Sequence, residues 1–189
     1  MIAYRLHDVD APPRWDDLPL PEPGPGEVRV AMRACGLNFA DLLMLQGRYQ
    51  ERPDLPATLG LEGAGVVDAL GAGVTTPAIG TRVAVFGSGM LASHAVVPAV
   101  ACLPIPDAMT WPEAAGFQIA YATSHLGLAR RANLCPGERL LVTGAAGGVG
   151  LTAIEIGKLM GAEVVASARG ADKLAICREA GADHVIDAD

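Results

Sequence analysis

The feature that most constrains the fold is a glycine-rich turn between an apolar strand and an amphipathic helix. Residues 140–144 form the apolar run LLVTG, residues 145–150 form the small-residue turn AAGGVG, and the helix that follows carries Ile154, Leu159 and Met160. Small residues let the backbone approach a pyrophosphate, and the helix start supplies unpaired N–H groups and the positive end of a dipole. This context predicts a dinucleotide-binding turn, with a ligand-free glycine turn as the alternative. The predicted contacts are Gly144, Ala145, Ala146, Gly147, Gly148, Val149 and Gly150.

The second half of the chain alternates strand-like and helix-like segments. Strands are predicted at 139–144, 163–168 and 184–187, with helices at 148–161 and 171–181. Strands that alternate with helices of about ten residues indicate parallel pairing through right-handed crossovers.

The first half consists of short apolar runs separated by Pro and Gly, which predicts a mainly β unit with one short helix at 41–45. A helical stretch over 110–132, capped by Thr110, separates the two halves. We therefore expect one domain over 1–115 and a second over 116–189. The predicted strands of the first half lie in the runs 27–35, 62–70, 81–87 and 91–98.

The end of the second parallel strand indicates which dinucleotide is bound. An Asp or Glu usually accepts hydrogen bonds from the ribose of NAD at this place. Here the sequence offers Ser167 and Arg169, with Lys173 one turn later. A hydroxyl and two cations suit a 2′-phosphate, so the sequence predicts NADPH, with ordinary surface charge as the alternative for the two cations.

Composition excludes several other classes of function. The net charge is −7 with no run of Lys or Arg, which makes nucleic acid an unlikely partner. The four cysteines contain no C-x-x-C pair, and the N-terminus has no signal-peptide core, so reduced thiols in a cytoplasmic protein are expected. Residues 83–106 carry no Asp, Glu, Lys or Arg, but Pro98, Pro104 and Pro106 rule out a membrane helix there.

Seven motifs in order along the chain resemble one family. The chain resembles the zinc-independent quinone oxidoreductases of the medium-chain dehydrogenase/reductase superfamily, which are related to zeta-crystallin. The motifs are GLNFAD (36–41), GRY (47–49), LGLEGAGVV (59–67), GTRV (80–83), a degenerate form of the usual G-D-R-V, YATSH (121–125), PGERLLVTGAAGGVG (136–150) and EAGADHVID (179–187).

The resemblance implies a fold class and a set of site residues. It implies a GroES-like β domain with the substrate side, then the first half of a Rossmann doubly wound parallel sheet with the cofactor, and a cleft between them. Asn38 and Thr123 would lie near the nicotinamide, and Asp41 and Tyr49 would line the cleft. Asn38, Asp41 and Tyr49 are thus the candidate catalytic residues, although Asp41 serves equally well as the N-cap of the helix at 41–45.

The same comparison of residues argues against a metal. Zinc-dependent relatives carry a Cys where this chain has Asn38 and a His where it has Leu61, and no Cys stands near Gln118. Glu62 remains, but a lone acid is not a zinc site. Without a Lewis acid, the enzyme is expected to transfer hydride from NADPH to an electron-poor acceptor, either a quinone or an α,β-unsaturated carbonyl.

The predicted sheet supplies only strands 3-2-1 of a doubly wound domain. We therefore expect a fragment, inactive by itself, of an enzyme that forms a homodimer or homotetramer, or alternatively a chain whose apolar edge strand is covered by a partner. A 2-enoyl thioester reductase is the nearest alternative function. A catalytically silent module that binds another protein is an alternative from a different class.

Overall fold

The computed structural model of the protein describes all 189 residues. The backbone separates into two compact units, Met1–Gln118 (unit 1) and Ile119–Asp189 (unit 2). Each unit buries its own cluster of apolar side chains, as expected for segments that fold around separate cores.

Unit 1 is built from two antiparallel sheets. The smaller sheet has the order β2-β1-β4, and the larger five-stranded sheet has the order β7-β3-β5-β6-β8. The strands are β1 (Ile2–Leu6), β2 (Arg14–Asp17), β3 (Glu27–Gly36), β4 (Ala57–Thr58), β5 (Glu62–Leu70), β6 (Arg82–Phe86), β7 (His94–Pro98) and β8 (Cys102–Pro104).

The period-two pattern predicted for the first half determines which face of the larger sheet is buried. Val28 and Val30 of β3 are fully buried and pack with Val67 and Val83, whereas Arg29 points to the other face. There its Nε donates to Asp68 Oδ1 at 2.9 Å. Alternation along the strand thus produces one apolar face and one face held by ion pairs.

Two predictions about helices are corrected by the structure. The helix expected at 41–45 is α1 (Phe39–Leu45), and its N-cap is Asn38 rather than Asp41. Asn38 has extended dihedral angles, and Asp41 occupies the third helical position, where its Oδ2 accepts from the Asn38 backbone N–H at 2.8 Å. This is the carboxylate half of a capping box.

The single helical stretch expected over 110–132 is instead three segments. They are α2 (Trp111–Ala115), α3 (Gln118–His125) and a π-helical segment (Leu126–Arg131). Thr110 caps α2 as predicted, and Gly116 is its C-cap residue, so α2 ends after five residues.

Unit 2 is the predicted parallel sheet with its crossover helices. The strand order is β11-β10-β9, as expected from the alternation of strands and helices. Ile154, Val164 and Cys177 are fully buried between the sheet and its helices. The elements are β9 (Arg139–Thr143), α4 (Gly148–Leu159), β10 (Glu163–Ala168), α5 (Ala171–Glu179) and β11 (His184–Asp187).

The charge-free segment 83–106 lies in β6, β7, β8 and their connections. None of the helices combines the length and the apolar character needed to cross a lipid bilayer.

The core of unit 2 gives a stability prediction. Ile154→Ala removes a side chain with no exposed surface and should lower the free energy of unfolding by about 2–5 kcal/mol. Ile176→Ala is the matched control, because Ile176 is 44% exposed, and its effect should stay within about 0.5 kcal/mol. Urea denaturation followed by circular dichroism measures both, and equal losses would contradict the described core.

Candidate functional site

The glycine-rich turn of unit 2 is closed by its own backbone hydrogen bonds. The Ala145 N–H donates to the Ser167 carbonyl at 3.0 Å, which fixes the turn to β10, and Gly147 N–H donates to the Gly144 carbonyl at 3.1 Å. Gly147 is the N-cap of α4, and no side chain caps this helix. The N–H groups of its first turn are therefore available to an anion.

Gly150 allows α4 to pack directly on this turn. A Cβ atom at position 150 would lie 2.6 Å from the Ala145 carbonyl oxygen and 2.7 Å from the Ala145 carbonyl carbon. These are backbone atoms of the turn, so they cannot move aside without changing its shape. A Cβ atom at Gly148, two residues earlier in the same helix, would meet nothing within 4 Å.

A cleft of about 600 Å³ joins the turn to the end of β10. It brings six of the predicted cofactor residues together, whereas Ala145 is fully buried, and Asn38, Thr123, Gly148, Val149 and Gly150 do not line it. The lining residues are Thr143, Gly144, Ala146, Gly147, Ser167, Ala168, Arg169, Lys173 and Ala188.

Two acids that were not predicted from the sequence as site residues lie beside the cationic end of the cleft, although neither lines it. Arg169 Nε lies 2.8 Å from Asp189 Oδ1, and both side chains are exposed. Asp187 Oδ1 accepts from the Gly170 N–H at 3.1 Å and so holds the loop between β10 and α5. Asp187 could have been predicted from the sequence, because parallel pairing of the predicted strands places it beside Ala168, at the carboxyl end of β10.

Asn38 belongs to a buried polar cluster in unit 1. Its Nδ2 donates to Glu62 Oε1 at 2.9 Å, and its backbone N–H donates to Asp41 Oδ2. Glu62 is 2% exposed and Asp41 is 5% exposed, and Asp41 Oδ1 has no hydrogen-bond partner. Glu62 looks like an isolated acid in the sequence, but the pairing of β3 with β5 places it beside Gly36.

Cys35 and Gly36 enclose this cluster. Cys35 Sγ donates to the Glu62 carbonyl at 3.1 Å. Burial, with the nearby charges of Asp41 and Glu62, raises the pKa of the Cys35 thiol to about 12, so the thiol stays neutral at physiological pH. A Cβ atom at Gly36 would lie 2.7 Å from Glu62 Oε1 and 2.5 Å from the Ala115 carbonyl oxygen, so a larger residue would displace Glu62.

Tyr49 lies elsewhere in unit 1. It lines a cavity of about 230 Å³ with Leu6, Val9, Met44 and Leu55 among its walls. Neither Asn38 nor Asp41 lines that cavity. The structure therefore brings Asn38 and Asp41 together, but it does not place Tyr49 in one pocket with them.

Two family models match the chain, one on each side of residues 108–147. They are the alcohol dehydrogenase GroES-like domain over 24–107 and the zinc-binding dehydrogenase model over 148–189. The human synaptic vesicle membrane protein VAT-1 homolog is 45% identical over 168 residues, covering 88% of this chain and 43% of that relative. The chain belongs to the medium-chain dehydrogenase/reductase superfamily.

Solved structures place this dehydrogenase/reductase chain among quinone oxidoreductase-like proteins. The quinone oxidoreductase of Thermus thermophilus, also solved with NADPH, matches with a TM-score of 0.88 and 38% identity, over 98% of this chain and 59% of that one. JamJ enoyl reductase in its apo form matches with a TM-score of 0.88 and 30% identity, over 98% and 59%. The predicted superfamily, the likeness to quinone oxidoreductases and the predicted fold class are confirmed. The chain spans less than half the length of the human VAT-1 homolog.

The zinc named in the second family description does not fit the donors of this dehydrogenase/reductase chain. Leu61 has no donor atom, the Asn38 amide nitrogen faces Glu62, and Cys35 Sγ donates to a carbonyl. No group of three or more His, Cys, Asp or Glu side chains is arranged to hold a metal ion. A zinc site needs three or four such donors that converge.

The packing of α4 gives a second stability prediction. Gly150→Ala should lower the free energy of unfolding by about 1–3 kcal/mol, because the new methyl group meets the backbone of Ala145. Gly148→Ala should leave it unchanged or raise it by up to about 1 kcal/mol, because Ala favours helix and the space is open. Thermal denaturation of both variants tests this, and equal effects would refute the close approach of α4.

Cys35 gives a prediction about chemical reactivity. The thiolate is the reactive form, so at pH 8 Cys35 should react with Ellman's reagent at least about a hundredfold more slowly than the exposed Cys135. Cys135→Ser should remove the fast phase, and peptide mass mapping identifies each labelled residue. Fast labelling of Cys35 in the folded protein would contradict its described environment.

Proposed function

We propose that this protein is an NADPH-dependent oxidoreductase that transfers hydride to a quinone or an α,β-unsaturated carbonyl without zinc. The observation that carries the proposal is the cleft of unit 2, which joins the glycine-rich turn to Ser167, Arg169 and Lys173. The Thermus relative, solved with NADPH, supports the choice of cofactor. The acceptor class is supported by the quinone oxidoreductases among the solved relatives.

The two ends of the cleft have different proposed roles. The uncapped start of α4 binds the pyrophosphate through backbone N–H groups and the helix dipole. Arg169 and Lys173 bind the 2′-phosphate, with Ser167 as a hydroxyl donor. Arg169 already pairs with the carboxylate of Asp189, so the phosphate replaces one anion by a more highly charged one.

On the substrate side, the proposed donor is Asn38. Glu62 accepts one of the two N–H bonds of the Asn38 amide, which fixes the nitrogen end of the amide in place. The second N–H is left to donate to the acceptor oxygen as that oxygen gains negative charge. Asp41 serves the same residue differently, by accepting from its backbone N–H at the start of α1.

The redox balance of the proposed reaction is simple. NADPH supplies two electrons and one proton as hydride, and the acceptor takes a second proton from solvent to give the hydroquinone or the saturated carbonyl. The protein contributes orientation and hydrogen bonds rather than a Lewis acid. The absence of donor atoms at Leu61 supports this metal-free interpretation of the chemistry.

The assignment of the cationic end is tested by cofactor preference. In the full-length enzyme, Arg169→Ala and Lys173→Ala should each raise KM for NADPH about 10- to 100-fold with 1,4-benzoquinone, because each removes a charged hydrogen bond to the 2′-phosphate. KM for NADH should change less than about twofold. Arg139→Ala is the control, because Arg139 is exposed at the opposite ends of the strands. The assignment would be overturned if the enzyme without substitutions prefers NADH, or if the two variants raise KM equally for NADPH and NADH.

The role of Glu62 is tested by a graded pair of variants. Glu62→Gln keeps an oxygen acceptor for Asn38, whereas Glu62→Ala leaves the amide unanchored. We expect kcat to fall about threefold for Gln and at least about tenfold for Ala, with KM for NADPH unchanged. In the Asn38→Ala background, Glu62→Ala should have no further effect on kcat. Additive losses would show that Glu62 acts independently of Asn38.

Reduction of a 2-enoyl thioester is the second candidate, and the similarity to JamJ enoyl reductase favours it. Crotonyl-CoA and 1,4-benzoquinone compared under the same conditions decide between them through kcat/KM. The absence of NADPH oxidation with every quinone, enone and enoyl thioester would exclude both and favour a catalytically silent module.

A further inference from the structure

Two polar contacts join helices α3 and α4 inside unit 2. Tyr121 Oη donates to Glu155 Oε2 at 2.5 Å, and Ser124 Oγ lies 2.8 Å from Thr152 Oγ1. From the first contact to the second, the chain advances three residues in α3, from Tyr121 to Ser124, but goes back three residues in α4, from Glu155 to Thr152. The two helices therefore run antiparallel, and the contacts are about one helical turn apart. The hydrogen bond to Glu155 raises the pKa of Tyr121, which keeps that hydroxyl a donor.

The inner contact, which we call the hydroxyl pair, consists of Ser124 and Thr152. Both residues are buried, with exposed fractions of 4% and 7%. Ser124 Oγ lies 2.8 Å from the Val149 carbonyl oxygen, and Thr152 Oγ1 lies 3.0 Å from the same oxygen and 3.1 Å from the Ala120 carbonyl oxygen. If Ser124 donates to the Val149 carbonyl and Thr152 donates to Ser124 Oγ, each hydroxyl proton has an acceptor and the hydroxyl pair is itself a hydrogen bond.

The shared acceptor makes this contact more than interhelical packing. Val149 is the second residue of α4 and lies within the sequence GGVG of the turn. The hydrogen bond from Ser124 to this carbonyl fixes the position of the helical turn whose N–H groups are proposed to bind the pyrophosphate. Ser124 also follows Thr123 directly, and because Ser124 is turned inward, Thr123 lies on the exposed side of α3.

We propose that Ser124 and Thr152 are positioning residues for cofactor binding, which hold the first turn of α4 in the geometry that receives the pyrophosphate. The inference rests on the proposed function, since it assumes that this turn binds NADPH. Neither hydroxyl lines the cleft, so neither acts by contact with the cofactor. Ser124 acts through its hydrogen bond to the Val149 carbonyl, and Thr152 acts through Ser124. Small displacements of preorganised donors are costly, because their hydrogen bonds depend steeply on distance and angle.

Two ligands separate positioning of the turn from general stability. NADPH needs both the start of α4 and the cationic end of the cleft, whereas adenosine 2′-monophosphate needs only the region of Ser167, Arg169 and Lys173. Loss of turn geometry should therefore weaken NADPH binding alone. A general loosening of unit 2 should weaken the binding of both ligands.

The experiment measures dissociation constants of both ligands by titration calorimetry. We expect Ser124→Ala and Thr152→Val each to raise Kd for NADPH about fivefold, the effect of one buried hydrogen bond. Kd for adenosine 2′-monophosphate should stay within about twofold. Thr152→Ser restores the hydroxyl without the methyl group and should recover most of the NADPH affinity.

Asp183→Asn is the matched control for stability. Asp183 pairs with Lys158 Nζ at 2.7 Å and accepts from the Val164 N–H, at the opposite ends of the strands from the turn. This variant should lower Tm without changing either Kd. Unchanged NADPH affinity in both Ser124→Ala and Thr152→Val, or equal weakening of both ligands, would overturn the inference. If the protein without substitutions binds neither NADPH nor adenosine 2′-monophosphate, the proposed function itself would be refuted.

Discussion

The contact of Gly150 with the backbone of Ala145 is the constraint on which unit 2 depends. Because position 150 has no side chain, α4 begins almost in contact with the turn that leaves β9. That proximity places free N–H groups at the sheet edge where the cofactor phosphates are proposed to bind. It also fixes the position along α4 from which Ile154, one turn later, packs into the core of unit 2. One missing methyl group therefore connects the packing of the helix to the geometry of the cleft.

The charge distribution shows how an acidic protein can present a site for an anion. The chain has a net charge of −7, yet Arg169 and Lys173 stand together at one end of the cleft. The two acids nearby have specific partners, since Asp187 holds a backbone N–H and Asp189 pairs with Arg169. Local arrangement, rather than the overall balance of charge, determines what the cleft can attract.

Features of the site that depend on local pattern could be predicted from the sequence, whereas features that depend on pairing between distant segments could not. The turn and the parallel strands follow from glycine spacing and the alternation of elements, and both were correctly expected. The link from Glu62 to Asn38 requires the register of β3 with β5, which no local pattern supplies. The cap of α1 was misplaced because Asn38 and Asp41 are both good capping residues, and only the backbone angles distinguish them. The hydroxyl pair was missed because Ser124 and Thr152 face each other only once α3 and α4 are packed.

The environment of Cys35 bears on the kind of substrate this protein can tolerate. Quinones and enones, the acceptors proposed above, are electrophiles that add to thiolates, so a reactive cysteine close to Asn38 would be alkylated by them. Burial and two neighbouring carboxylates keep Cys35 in the neutral thiol form, and the sulfur is engaged with a backbone carbonyl. Glu62 holds the Asn38 side chain and Asp41 holds its backbone N–H, and the same two acids disfavour the Cys35 thiolate that an electrophile would alkylate.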